Sequence, residues 1–153
     1  MSMSVLIADA DSLLLSAYRA YLVDGIEVRT VTSGLACVEE LRRRRPDVLV
    51  LDADLPWGSG LGVLAVMRED PTIPFIPVLL MTTRLADLAG QVIPIRDYAL
   101  LIKPIPPVVM ARLIFTLADS GWGSRSDFPG SGLPATFPVP ARVRRDGFGV
   151  QSL

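Results

Sequence analysis

Short, wholly apolar runs alternate with amphipathic stretches along the first 119 residues of the chain. Val5-Leu6-Ile7-Ala8 has the character of a buried strand and ends at the acidic turn Asp9-Ala10-Asp11. Ser12 to Val23 then carries Leu14, Tyr18, Tyr21 and Leu22 at the spacing of one helical face, and Asp24-Gly25 ends it. Glu27 to Val31 predicts a second strand. Ser33 can cap a helix that runs to about Arg45, where Pro46 stops it. Asp47 to Asp52 is the clearest central strand, apolar on both faces as a parallel sheet requires.

A loop with Pro56, Gly58 and Gly60 leads to a helix from about Leu61 to Glu69. Pro77 to Thr82 predicts a fourth strand. Thr83 to Asp97 makes a poor helix, because Gly90 and Pro94 interrupt it. Ala99 to Lys103 is the fifth strand and Pro107 to Ala118 the last helix. Five such β-α units predict an α/β fold, a doubly wound five-stranded parallel sheet with helices on both faces. In that architecture chemistry gathers at the carboxyl ends of the strands.

Residues 120–153 break the pattern. Six glycines and four prolines fall among them, four arginines against two aspartates give a local charge of +2, and no periodicity survives. They read as a Gly/Pro-rich tail after a domain of residues 1–119, either flexible or the start of a truncated linker. No stretch reads as a membrane span or an export signal: Asp9 interrupts the first apolar run, and Pro104 to Ala118 contains three prolines and Arg112. A cytoplasmic protein is expected.

Composition narrows the chemistry. The formal net charge of −1 provides no field for nucleic acid or anionic lipid. The chain has no histidine, which removes Ser-His-Asp and Cys-His catalysis, histidine-ligated zinc and a phosphohistidine carrier. The single cysteine, Cys37, excludes an intramolecular disulfide, and its helix with Val38 and Leu41 makes it a packed apolar residue. Arg42-Arg43-Arg44-Arg45 complements a helix C-terminus better than it builds a nucleic-acid groove, since no aromatic residue interleaves it. Of the 15 basic residues only Lys103 is lysine.

Polar side chains collect at four strand ends: Asp9 and Asp11, Asp52 and Asp54, Thr82 and Thr83, and Lys103. The first and third strands are central neighbours in a doubly wound sheet, so the acids converge. Hard carboxylate oxygens suit magnesium, and a hydroxyl and an ammonium facing the same pocket suit a phosphoryl group. The residues point to magnesium-assisted phosphoryl transfer onto or near an aspartate. Asp11 precedes a helix and has N-capping as its ordinary role, with metal binding as the alternative. Trp57 lies beside Asp52, where it either shapes partner access or only covers the loop.

Over about residues 4–118 the sequence resembles the receiver domain of two-component response regulators. The resemblance is carried by Asp9-Ala10-Asp11, by Asp52-Ala53-Asp54-Leu55-Pro56-Trp57-Gly58-Ser59-Gly60, by Met81-Thr82-Thr83 and by Lys103-Pro104. It implies a flavodoxin-like sheet of order 2-1-3-4-5, like that of a chemotaxis response regulator. It also implies that Asp52 accepts a phosphoryl group from a kinase phosphohistidine, that Thr82 and Lys103 contact it, and that Asp9, Asp52 and the backbone carbonyl of Asp54 hold Mg2+. The implied partners are a sensor histidine kinase or phosphotransfer protein and a downstream protein, with a homodimer or docking face formed by the last helix with the strand and helix before it. Two positions depart from the family. Ala10 stands where the second of two adjacent acids is usually a direct metal ligand, and Asp11 is the nearest substitute. Leu100 stands where many receivers carry a rotating aromatic, with Tyr98 one step away on the same face of the strand.

Three functions compete. The leading one is a phosphorylated receiver that signals by protein contact. The second is a receiver-shaped interaction module independent of phosphate, motivated by Ala10, Leu100 and the interrupted helix. The third is a haloacid-dehalogenase-type phosphohydrolase, which Asp52-Ala53-Asp54 also fits, although no acidic metal motif follows Lys103 until Asp119.

Overall fold

The computed structural model describes residues 2–22, 25–91 and 98–119. Five strands, β1 (Met3–Ala8), β2 (Ile26–Val31), β3 (Val48–Asp52), β4 (Val78–Thr82) and β5 (Tyr98–Ile102), form one sheet in the order β2-β1-β3-β4-β5. Every pairing is parallel. The crossovers are α1 (Ser12–Tyr21), α2 (Gly34–Arg43) and α3 (Gly60–Glu69), and α4 (Pro107–Asp119) follows β5. This is the expected doubly wound α/β sheet of order 2-1-3-4-5. The expected tail over 120–153 lies outside the described residues.

All five residues of β3 and all five of β4 are buried, because both faces of the sheet are covered. On one face Val5, Ile7, Val50, Met81 and Leu101 pack under α1 and α4. On the other Leu6, Leu49, Leu51, Leu80 and Leu100 pack under α2 and α3. The inward side of α1 is Leu15, Tyr18 and Leu22. Tyr21, expected on that side, is half exposed, because the helix ends there and Leu22 closes it as the cap. Cys37 is fully buried in the second core, and burial pushes its thiol up to about 12. On α4 Val109, Met110, Leu113, Ile114 and Leu117 are buried, while Val108 and Phe115 face outward.

The first three helices are capped by side chains. Asp11 accepts the amides of Leu13 and Leu14, Ser33 that of Ala36 and Ser59 that of Gly62. The arginine run at the end of α2 is paired with acids: Arg42 with Asp70, Arg43 with Glu40, and Arg44 in a two-pronged contact with Glu27 on β2. Between β4 and residue 91 the chain forms only a single turn of 3₁₀ helix, Leu85–Leu88. Gly90 then takes a left-handed conformation (φ 77°), which a continuing helix does not allow. The rest of the expected poor helix, 92–97, lies outside the described residues. No helix among the described residues is long and apolar enough to cross a membrane.

Candidate functional site

Parallel register brings the acids together. Ala8 of β1 lies opposite Leu51 of β3, so the next residue of each strand is an aspartate, Asp9 and Asp52. On the other side of β3, Asp52 lies opposite Met81, and Thr82 opposite Ile102. Lys103 follows Ile102, and its amide donates to the Thr82 carbonyl at 2.8 Å. Strand pleating decides which side chains meet. Asp9, Asp52 and Lys103 share the alternation of Ile7, Val50 and Leu101, on the α1/α4 side of the sheet.

There the Lys103 Nζ lies 2.7 Å from Asp9 Oδ2 and 3.1 Å from Asp52 Oδ2. Both carboxylates are almost completely buried. Their other oxygens accept main-chain amides: Asp9 Oδ1 takes Asp11 N at 2.8 Å and Asp52 Oδ1 takes Asp54 N at 3.1 Å. Burial disfavours the ammonium, but hydrogen bonds to Asp9 and Asp52 and their charges outweigh it and raise the Lys103 pKa. The lysine is the counter-ion of two buried acids, and a planar guanidinium would not serve both oxygens in the same compact way.

Thr82 is brought to the same edge but not into this cluster. Its alternation is that of Val78 and Leu80, on the α2/α3 side. Its hydroxyl donates to the Arg84 carbonyl at 3.1 Å and accepts the Arg84 amide at 3.2 Å. Leu100 is buried on that side and Tyr98 packs half-buried against it. Asp11 is occupied as the α1 cap through Oδ1. Asp54 is exposed, and Ala10 is exposed beside Asp9.

The loop after β3 is held from two sides. Gly34 and Leu35, at the start of α2, donate to the carbonyls of Pro56 and Trp57 at 2.9 and 2.8 Å. Gly60 lies against the end of β3, where a Cβ would collide with the Asp52 carbonyl and approach Ala53 Cα to 2.7 Å. Trp57 and Ser59, with φ of 52° and 46°, occupy left-handed backbone that few L-residues adopt. The Trp57 ring is 81% exposed.

One member escaped the sequence reading. Tyr18 of α1 is fully buried, and its hydroxyl donates to the Ile105 carbonyl at 2.8 Å. Burial and the charge of Asp9 push its pKa up to about 12. Helical spacing marked Tyr18 as core, and the polar tip on a buried ring was the available signal.

No group of three or more acidic, histidine or cysteine side chains suited to a metal occurs among the described residues. The set here is two carboxylates, with the Asp54 amide donating to one of them. Magnesium is commonly bound through one or two carboxylates and keeps several waters, so these two carboxylates fit it.

Residues 5–114 match the response regulator receiver domain. The chain belongs to that family. The receiver is 38% identical over 82 residues to the probable transcriptional regulatory protein TcrX of Mycobacterium tuberculosis, which covers 53% of this chain and 34% of that protein. It is 31% identical over 83 residues to the polar-differentiation response regulator DivK of Brucella ovis, covering 54% of this chain and 68% of that one. The matches to TcrX and to the luminescence regulatory protein LuxO of Vibrio campbellii span only 34% and 14% of those proteins.

Among solved structures the receiver is similar to the chemotaxis response regulator CheY4 of Vibrio cholerae, with TM-score 0.66 and 22% identity over 76% of this chain and 99% of that one. It is also similar to the receiver domain of the sensor histidine kinase PA1611 from Pseudomonas aeruginosa, described with a magnesium ion coordinated in the active site cleft. That match has TM-score 0.65 and 19% identity, over 78% of this chain and 99% of that chain. Both likenesses are of fold. Receivers are signalling domains of two-component systems; they interact with histidine kinases or phosphotransfer proteins and with downstream partners, and generally bind Mg2+.

Proposed function

We propose that residues 1–119 act as a cytoplasmic receiver that takes a phosphoryl group on Asp52, and that residues 120–153 are a tail or linker. The observation that carries this reading is the pair of buried carboxylates, Asp9 and Asp52, joined by the single lysine of the chain at 2.7 and 3.1 Å. Asp9, Asp52 and the Asp54 carbonyl would hold Mg2+, which supplies positive charge against the phosphoryl oxygens. An Asp52 carboxylate oxygen forms the new bond to phosphorus. The phosphorus–nitrogen bond of the donor phosphohistidine breaks, and its electron pair returns to the ring nitrogen.

The added phosphoryl group brings roughly −1.5 to −2 charges. Lys103 answers it by shifting its ammonium from the carboxylates to a phosphoryl oxygen. Thr82 answers it by releasing Arg84 and turning its hydroxyl inward. Leu100 and Tyr98, on the Thr82 side of the sheet, carry the change toward a downstream partner. The outward Val108 and Phe115 of α4 are where a homodimer would form.

The test is incubation with acetyl phosphate and magnesium, read by intact mass. One phosphoryl adduct is expected on the unsubstituted chain and none on Asp52→Asn; no adduct at saturating magnesium rejects the reading. A phosphate-independent interaction module is favoured by one specific observation, the methyl group of Ala10 at the metal position. That reading requires partner binding to be unchanged in Asp52→Ala.

A further inference from the structure

We infer that Tyr18 is a positioning residue for Lys103, acting through the turn that carries it. This rests on the phosphoacceptor reading above. Lys103 opens the segment Lys103-Pro104-Ile105-Pro106-Pro107, in which three of five residues lack a backbone N–H. Such a turn has few local hydrogen bonds with which to fix itself. Its upstream anchor is the Lys103 amide on the Thr82 carbonyl, and downstream the amides of Val109 and Met110 close on the Pro106 carbonyl. Between them the Ile105 carbonyl is held from outside the segment, by the Tyr18 hydroxyl 87 residues away in the chain.

The position of that bond matters. Tyr18 sits about two helical turns after the α1 cap Asp11, and Asp11 N also fixes Asp9 Oδ1. The first acid of the site and the turn bearing its counter-ion are therefore fastened to the same helix, at opposite ends of a short path. Burial, and after it the charge of Asp9, raises the phenol pKa of Tyr18. A phenylalanine would fill the same core space but leave the Ile105 carbonyl buried and unbonded. The turn would then be free to settle elsewhere, and the ammonium would lose its fixed place over Asp9 and Asp52.

The test is a double-mutant cycle on the full chain, with beryllofluoride as phosphoryl mimic in saturating magnesium. Tyr18→Phe should weaken mimic binding about tenfold, and should weaken it no further in a Lys103→Ala background. An equal loss in both backgrounds, or none in the first, overturns the inference. A second measurement needs no substitution at position 18. With 13C-labelled tyrosine, the Tyr18 ring signal should shift on mimic binding in the unsubstituted chain and stay fixed in Lys103→Ala. A shift that persists in Lys103→Ala overturns it equally. Failure of the unsubstituted chain to bind the mimic at all removes the phosphoacceptor reading and this inference together, an outcome distinct from binding that ignores Tyr18.

Discussion

On the proposed reading, the methyl group at position 10 weakens Mg2+ binding. Loss even of a residue that only supports a metal ligand costs about 10–100-fold in affinity, so a missing ligand should cost at least that. Ala10→Asp should therefore tighten Mg2+ binding at least about tenfold, read as quenching of tryptophan fluorescence with Trp57 beside the site. Asp11→Ala should leave magnesium affinity unchanged and cost about 1 kcal/mol of stability through the lost α1 cap. A tenfold loss of magnesium affinity in that variant would return Asp11 to the metal. Asp9, Asp52 and Lys103 were legible in the sequence because each ends an apolar run, and a parallel sheet gathers such ends at one edge. The Tyr18 hydroxyl was not, because its partner is a main-chain carbonyl 87 residues away and periodicity sees only the ring. Nor was the Thr82 hydrogen bond to Arg84, which depends on how the chain turns after the strand.

At the scale of elements, the junction of β3 and α3 is the tightest part of the fold near the site. Gly60 donates to the Ala53 carbonyl at 3.0 Å, with no room for a Cβ against Asp52 and Ala53. Gly60→Ala should thus cost about 1–3 kcal/mol, measured by urea unfolding. It should also slow phosphorylation of Asp52, because the strand end must move to admit the methyl group. Unchanged stability would mean that α3 shifts freely. Every strand and the four helices were readable from apolar runs, caps and prolines, with boundaries displaced by one or two residues. The segment after β4, read as a poor helix interrupted by Gly90, is one up to residue 91. Its sequence has apolar residues enough for a helix, but Gly90 in left-handed backbone leaves only the turn Leu85–Leu88 before it.

Besides its two carboxylates the molecule buries a phenol and a thiol, one in each core: Tyr18 on α1 and Cys37 on α2. Both are pushed up to about 12 from ordinary values of 10.0 and 9.0, and burial is the main cause in each case. The folded chain therefore holds its protons more tightly than the unfolded chain does. Their contribution to stability is complete below about pH 9 and is lost as pH rises toward 12. The urea midpoint should fall steadily between those limits, and Cys37→Ala should remove the earlier part of the decline. A flat midpoint to pH 11 would show that neither group is sealed from water.

The lysine bridge also fixes an order of events during synthesis. Asp9 and Asp52 are made long before their counter-ion: 51 residues separate Asp52 from Lys103. At ribosomal speeds of roughly 5–20 residues per second, Asp52 waits about 3–10 s for its cation, and Asp9 about twice as long. Until β5 arrives, β4 is an open sheet edge, with its ladder groups unpaired. A chain released before residue 98 would carry Asp9 and Asp52 but neither the ammonium nor the strand that closes the sheet. The ammonium and the strand that closes the sheet therefore arrive within a few residues of each other, and α4 follows to cover that face of the core.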